Sequence, residues 1–88
     1  MPNRARVLDD KGLESMVNVK QVKIGQIVLV RPGETIPLDG LIANGSAFVD
    51  QSLVTGESMP VWKKKDDPVY AGTLSTYGIL RVKVTNEV

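Results

Sequence analysis

The sequence predicts a small all-β domain of sandwich or jelly-roll type, built from seven or eight short strands with little or no helix. Three observations carry that expectation. Apolar residues alternate with period two along most of the chain, and a 3.6-residue period is nowhere dominant. The apolar fraction rests on Val, Leu and Ile, with Phe48, Trp62, Tyr70 and Tyr77 the four aromatics among 88 residues. Turns rich in Gly and Pro separate the alternating runs at short spacing.

The elements follow in order. "RARVLD" (4–9) alternates weakly, and Asp10, Lys11 and Gly12 then supply a hairpin turn. "LESMVNV" (13–19) alternates again, with Leu13, Ser15, Val17 and Val19 on one side. "IVLVR" (27–31) is β-branched and apolar, and reads as the most buried strand. "PGETIPLDG" (32–40) holds two prolines and two glycines in nine residues, a density that leaves no room for a regular element. "LIANG" and "AFVDQS" read as short strands about Asn44-Gly45, a dipeptide suited to a tight turn with positive φ. "PVWKKKDDPVYAG" (60–72) gives a strand, a charged turn ending at Pro68 and another strand, with Trp62 at a partly buried edge of the core. "GILRVKVTNEV" (78–88) closes with Leu80, Val82 and Val84 on one face and Arg81, Lys83 and Thr85 on the other.

Length allows one domain, residues 1–88, with one modest core, because a chain this short buries only about 60–65% of its unfolded surface. Eleven basic and ten acidic residues leave a net charge of +1, which gives no strong attraction to nucleic acid or anionic lipid. With no Cys and no His, disulfides, thiolate or imidazole metal sites and Ser-His or Cys-His catalytic pairs are excluded. No apolar run approaches the roughly 18 residues of a membrane helix. The chain starts and stops on strand-like sequence, which fits a domain cut from a longer protein and a small protein with short tails equally well.

The candidate site lies in "VDQSLVTGESMPV" (49–61), where Thr55-Gly56-Glu57-Ser58 interrupts β-like sequence with one carboxylate between a glycine and a serine. Glu57 is ionised at neutral pH and suited to taking a proton from water. Gly56 has no Cβ to obstruct close approach to another surface, and Thr55 and Ser58 offer hydroxyls that hold a turn or orient a water. A hydrophilic solvent turn is the plainer reading of the same four residues. Asp39 and Asp50 sit beside turn or strand sequence and read as structural hydrogen-bond acceptors. The Lys63–Lys65 run is offset at once by Asp66 and Asp67 and reads as a solvated turn.

Together these blocks resemble a known family. "TGES" (55–58) is similar to the signature loop of the actuator domain of P-type ATPases, ion pumps that cycle through an aspartyl-phosphate. "VRPGETIPLDG" (30–40), "VDQSLVTGESMPVWK" (49–63) and "VYAGTLSTYG" (69–78) resemble the segments around that loop, in the family's order. The resemblance covers about residues 22–84. "PGETIPLDG" with "ESMPVWK" leans toward heavy-metal pumps, copper exporters ahead of zinc/cadmium exporters. Three positions depart from the family's pattern: Gln26 where Asp is usual, Asp66 where Gly is usual, and Ser75 where Asn is frequent.

The resemblance implies a distorted jelly-roll, double-stranded β-helix-like fold and a cytoplasmic domain excised from an integral membrane protein. Its partners would be the phosphorylation and nucleotide-binding domains and transmembrane helices of the same polypeptide, with no nucleic acid. Glu57 would be the catalytic residue, acting on water during aspartyl-phosphate hydrolysis, with Thr55, Gly56 and Ser58 supporting the loop. No cofactor or metal is expected in this domain; the full pump would use ATP and Mg²⁺ and carry a heavy-metal ion. The isolated chain has no phosphorylation motif like "DKTGT" and is expected to show no ATPase activity. Two rivals of other classes are a nucleic-acid-binding barrel of the OB type and a purely structural β-module. The balanced charge and the separation of aromatics from lysines argue against the first.

Overall fold

The structure, a computed structural model, describes residues 2–56 and 59–88. Nine strands run through it: β1 (Arg4–Leu8), β2 (Glu14–Asn18), β3 (Ile27–Val30), β4 (Gly40–Asn44), β5 (Ala47–Asp50), β6 (Val61–Lys63), β7 (Pro68–Val69), β8 (Leu74–Ser75) and β9 (Leu80–Val84). One turn of α-helix, α1 (Ser52–Thr55), and one 3₁₀ turn (Val19–Gln21) complete the regular structure. The expectation of a nearly helix-free β domain holds, with the two shortest strands, β7 and β8, raising the count.

The strands form two antiparallel sheets, six-stranded in the order β2-β1-β3-β9-β4-β7 and three-stranded in the order β6-β5-β8. Alternation does in space what it does in sequence. Val28 and Val30 of β3 and Leu80, Val82 and Val84 of β9 are buried, and their neighbours on the other face are not. Ala47 and Val49 of β5 meet the same core from the smaller sheet. Valine dominates this core, which contains no aromatic side chain among the described residues. Burying such side chains is worth about 1.5–3 kcal/mol each, the main source of stability in so small a domain.

The hairpin from β1 to β2 forms as read. Asp9 accepts the backbone N–H groups of Lys11 and Leu13 at 2.8 and 2.9 Å, and Gly12 donates to the Asp9 carbonyl. β2 is an edge strand, so its alternation buries little: Leu13, just before it, is 64% exposed, and only Val17 packs against the core from within it.

Asn44-Gly45 differs from the expectation. It does not join two paired strands, because β4 belongs to the larger sheet and β5 to the smaller. The dipeptide is a crossing point between sheets, and Tyr77-Gly78, between β8 and β9, is the last of the crossings that follow it. The two crossings touch backbone to backbone. A Cβ on Gly45 would strike the Ile79 carbonyl, and one on Gly78 would strike the Ser46 carbonyl, while both glycines hold positive φ (94° and 96°). The sequence rule for tight turns found the right residue type for a different geometric reason.

The Pro/Gly-dense stretch contains no strand, as expected, yet it is not a solvent loop. Ile36 and Leu38 are fully buried, and residues 33–36 exchange backbone hydrogen bonds with residues 72–75. This connection closes the space between the sheets.

Candidate functional site

The segment 51–60 connects β5 to β6, two strands that pair with Phe48 opposite Trp62 and Val49 opposite Val61. It leaves β5 through Asp50, whose carboxylate accepts the Ser52 N–H at 2.9 Å. The Ser52 hydroxyl and then this backbone N–H hold the Asp50 carboxyl below the usual carboxylate range. Asp50 therefore starts the turn of α1, which has no side-chain cap of its own at Gln51. Within α1 the Thr55 hydroxyl donates to the Gln51 carbonyl at 3.1 Å. Gly56 ends the turn in the left-handed conformation (φ 78°), its N–H bonded to the Ser52 carbonyl at 2.9 Å.

This one-turn helix was not expected. Its signals are short: Asp50 two residues before its bonded N–H, and a glycine one turn later at the position where helices close. Nothing in α1 is buried; Leu53 is 90% exposed and Val54 56%. Local capping, not packing, shapes the segment. Beyond it, Met59 is also largely exposed.

Of the four candidate site residues, Thr55 and Gly56 are placed on this exposed turn, and Glu57 and Ser58 lie outside the described residues. The conformation of Gly56 explains the glycine in one way and leaves room for another. Among the described residues an added Cβ would meet nothing within 4 Å, so the positive φ is the reason for glycine that the structure shows.

The other candidates behave as structural residues. Asp39 accepts the Ala71 N–H at 2.8 Å, and its carbonyl accepts the Thr85 N–H. Among the described residues no three His, Cys, Asp or Glu side chains gather as a metal site. In the charged turn Asp67 accepts the Lys64 N–H at 2.9 Å, while Lys63 Nζ stands 5.8 Å from the centre of the Tyr70 ring. Trp62 is half exposed rather than at the core edge; it meets Phe48 edge to face, ring centres 4.9 Å apart, on the outside of the smaller sheet. Sequence reasoning missed this pair, whose signal was two aromatics separated by a connection that returns the chain antiparallel.

The departures also acquire physical readings. The Gln26 side-chain oxygen Oε1 accepts the Lys23 N–H at 2.8 Å, a bond of the kind an Asp side chain makes in turns. Asp66 has φ 74°, the one positive-φ residue other than glycine among those described, at the place where the family usually has Gly. Ser75 is fully buried with its hydroxyl unpartnered.

Comparison with known proteins agrees with the geometry. The family model described as the P-type ATPase actuator domain matches residues 1–88. The chain is 47% identical over 81 residues to a copper-exporting P-type ATPase of Staphylococcus haemolyticus, covering 92% of this chain and 10% of that protein. It is 47% identical over 77 residues to a cadmium-transporting ATPase of Staphylococcus aureus, covering 88% of this chain and 11% of the relative. The crystal structure of a zinc-transporting PIB-type ATPase in the E2.Pi state superposes with a TM-score of 0.91 at 31% identity, over 98% of this chain and 14% of that one. The chain thus spans about a tenth of the length of the curated relatives it matches. With a β framework that superposes over nearly its whole length and the family model matched from end to end, this chain belongs to the P-type ATPase actuator domain family.

Proposed function

We propose that this chain serves as the actuator domain of a heavy-metal-exporting P-type ATPase and that Glu57 orients and deprotonates the water that hydrolyses the pump's aspartyl-phosphate. The observation that carries this reading is the turn 52–56: an all-β body presents a turn with no buried side chain that ends at Gly56, immediately before Glu57 in sequence. An acyl phosphate must survive one half of the transport cycle and hydrolyse in the other. A base carried on a separate rigid body meets that need, because it reaches the phosphate at only one stage. ATP and Mg²⁺ belong, in this reading, to the other cytoplasmic domains of the same polypeptide, and the cargo to its membrane helices. Among the described residues no helix is long and apolar enough to cross a membrane.

Copper is the cargo we favour, on the flanks "SLVTGESMPV" of the loop. Relatives of similar identity carry names for copper, cadmium, silver and cobalt/nickel, so the cargo is decided by transport. Metal-dependent ATP hydrolysis by the parent pump, stimulated by Cu⁺ and not by Zn²⁺ or Cd²⁺, is the expected result; the reverse selects the zinc/cadmium branch.

Glu57 is tested in the parent pump by following phosphoenzyme decay after a chase with unlabelled ATP. Glu57→Gln keeps the size and removes the base, which is worth about 10²–10⁴ in rate. Phosphorylation from ATP persists and the phosphoenzyme accumulates. Decay at the wild-type rate would remove Glu57 from the mechanism.

A further inference from the structure

We infer that the Phe48–Trp62 ring pair is a positioning device for the segment that carries Glu57, an inference that rests on the catalytic reading above. The stem of that segment is short. β5 and β6 pair over three rungs, Ala47 with Lys63, Phe48 with Trp62 and Val49 with Val61, and residues 51–60 connect the ends of the two strands. β6 is the edge strand of its sheet, so only β5 holds it by backbone bonds. The rings sit on the middle rung, one removed from the connection, and meet edge to face at 4.9 Å.

Their location separates positioning from general stability. Phe48 is 41% exposed and Trp62 50%, and neither belongs to the core cluster that joins the sheets. The Phe48 carbonyl is fixed independently, accepting both the N–H and the hydroxyl of Thr76 at 2.8 and 2.7 Å. Phe48 is therefore the anchored partner, and Trp62 is the side chain through which β6 is held to it. Next along β6, the Lys63 ammonium reaches the Tyr70 ring and ties the strand to the following element. Loss of the ring contact frees the end of β6 and widens the range of positions open to residues 51–60. In-line attack by water tolerates little misplacement: a shift of about 1 Å is enough to cost up to about 10²-fold in rate. Aromatic pairs add stabilisation beyond their buried area, so their removal loosens the stem without unfolding it.

The experiment is the phosphoenzyme chase in the parent pump, with Glu57→Gln alongside. Trp62→Ala is expected to slow decay about three- to tenfold while the level and rate of phosphorylation from ATP stay as in wild type. Trp62→Phe, which keeps a ring edge against Phe48, returns decay close to wild type. Phe48→Leu keeps apolar bulk on the anchored strand but removes the ring contact, and slows decay as Trp62→Ala does; it decides the matter if Trp62→Ala fails to accumulate. Wild-type decay in Trp62→Ala or in Phe48→Leu, with Glu57→Gln blocked, overturns the positioning role and leaves the catalytic reading intact. A parallel loss of phosphorylation and decay also overturns it, because that is general destabilisation. Wild-type decay in Glu57→Gln instead removes the catalytic reading itself.

Discussion

The seam between the two sheets and the segment that leaves the smaller sheet both turn on a glycine with positive φ, and the two glycines are there for different reasons. Gly45 stands where one crossing strand presses on the other, with the Ile79 carbonyl in the place its Cβ would take. Gly56 ends an exposed turn, and no atom of the described residues stands within 4 Å of the place its Cβ would take. One glycine serves the packing of the chain against itself. The other meets a local backbone need and leaves a bare surface for something else. The same contrast runs through both regions: the seam is held by close backbone contact between two crossings, whereas α1 buries no side chain and is fixed at its ends.

The largest expected effect lies in that pair. Gly45→Ala must displace backbone as well as adopt an unfavourable φ, and costs about 3 kcal/mol or more, among the larger effects of single substitutions. Gly78→Ala, which meets the Ser46 carbonyl, should match it. Gly56→Ala pays the left-handed penalty alone, about 1–2 kcal/mol, partly offset by a stiffer unfolded chain. Urea denaturation of the three variants of the 88-residue chain gives the order. Equal costs at Gly45 and Gly56 would mean that the crossing relaxes freely and that the seam is not the rigid part.

This contrast also shows what the sequence could and could not convey. Strands β3 and β9 were legible because each buries one face against the core, so period two survives in Val28, Val30, Leu80, Val82 and Val84. The first hairpin was legible because its turn is local, made by Asp9 and Gly12. The strands about Asn44-Gly45 and the positive φ of Gly45 were legible, but a local rule cannot tell a turn between paired strands from a crossing between sheets. Trp62 was placed at the core edge because an apolar ring carries no mark of which sheet face it occupies, and pairing with Phe48 needs the strand register. The site was legible as a motif, not as a geometry. None of its signature residues Thr55 to Ser58 is a large apolar one, so no hydrophobic pattern reports how the segment folds.

A smaller effect tests the connection that closes the space between the sheets. Arg6 of β1 reaches Glu34 in that connection, Nη2 to Oε2 at 2.7 Å, and Glu34 also accepts the Arg31 N–H at 2.8 Å. The Arg6 hydrogen bond first, aided by the Arg31 N–H and against the cost of burial, holds the Glu34 carboxyl below its usual range. A lowered folded-state pKa gives stability that is present above the unfolded value, near 4.3, and is lost as pH falls through the folded value. Both side chains are partly exposed, so solvent screening keeps the contribution to about 0.5–1 kcal/mol. Wild type should exceed Glu34→Gln by that amount at pH 7 and converge with it at acidic pH. Asp50, present in both proteins, titrates alike in each and cancels from the difference. A gap that stays constant from pH 7 to well below pH 4 would show that the carboxylate charge contributes nothing.

The smallest effect, that of Asp66→Gly, concerns another link between the sheets. The turn from β6 to β7 passes from the smaller sheet to the larger, and it docks on β4 through Asp66 N–H to the Ile42 carbonyl at 2.8 Å and Ile42 N–H to the Asp67 carbonyl at 3.0 Å. Asp66 must hold φ 74° to make these bonds. Aspartate is among the few residues that visit this region without heavy strain, because its short polar side chain bonds locally, while alanine has no such relief. Glycine removes the strain but adds freedom to the unfolded chain, and these terms nearly cancel. Asp66→Gly is therefore expected to leave stability within about 0.5 kcal/mol of wild type, and Asp66→Ala to lose about 1 kcal/mol. Denaturation midpoints of the two variants decide it. If alanine is tolerated as well as glycine, the turn has some other conformation in solution, and the link between the sheets is looser than its two backbone bonds imply.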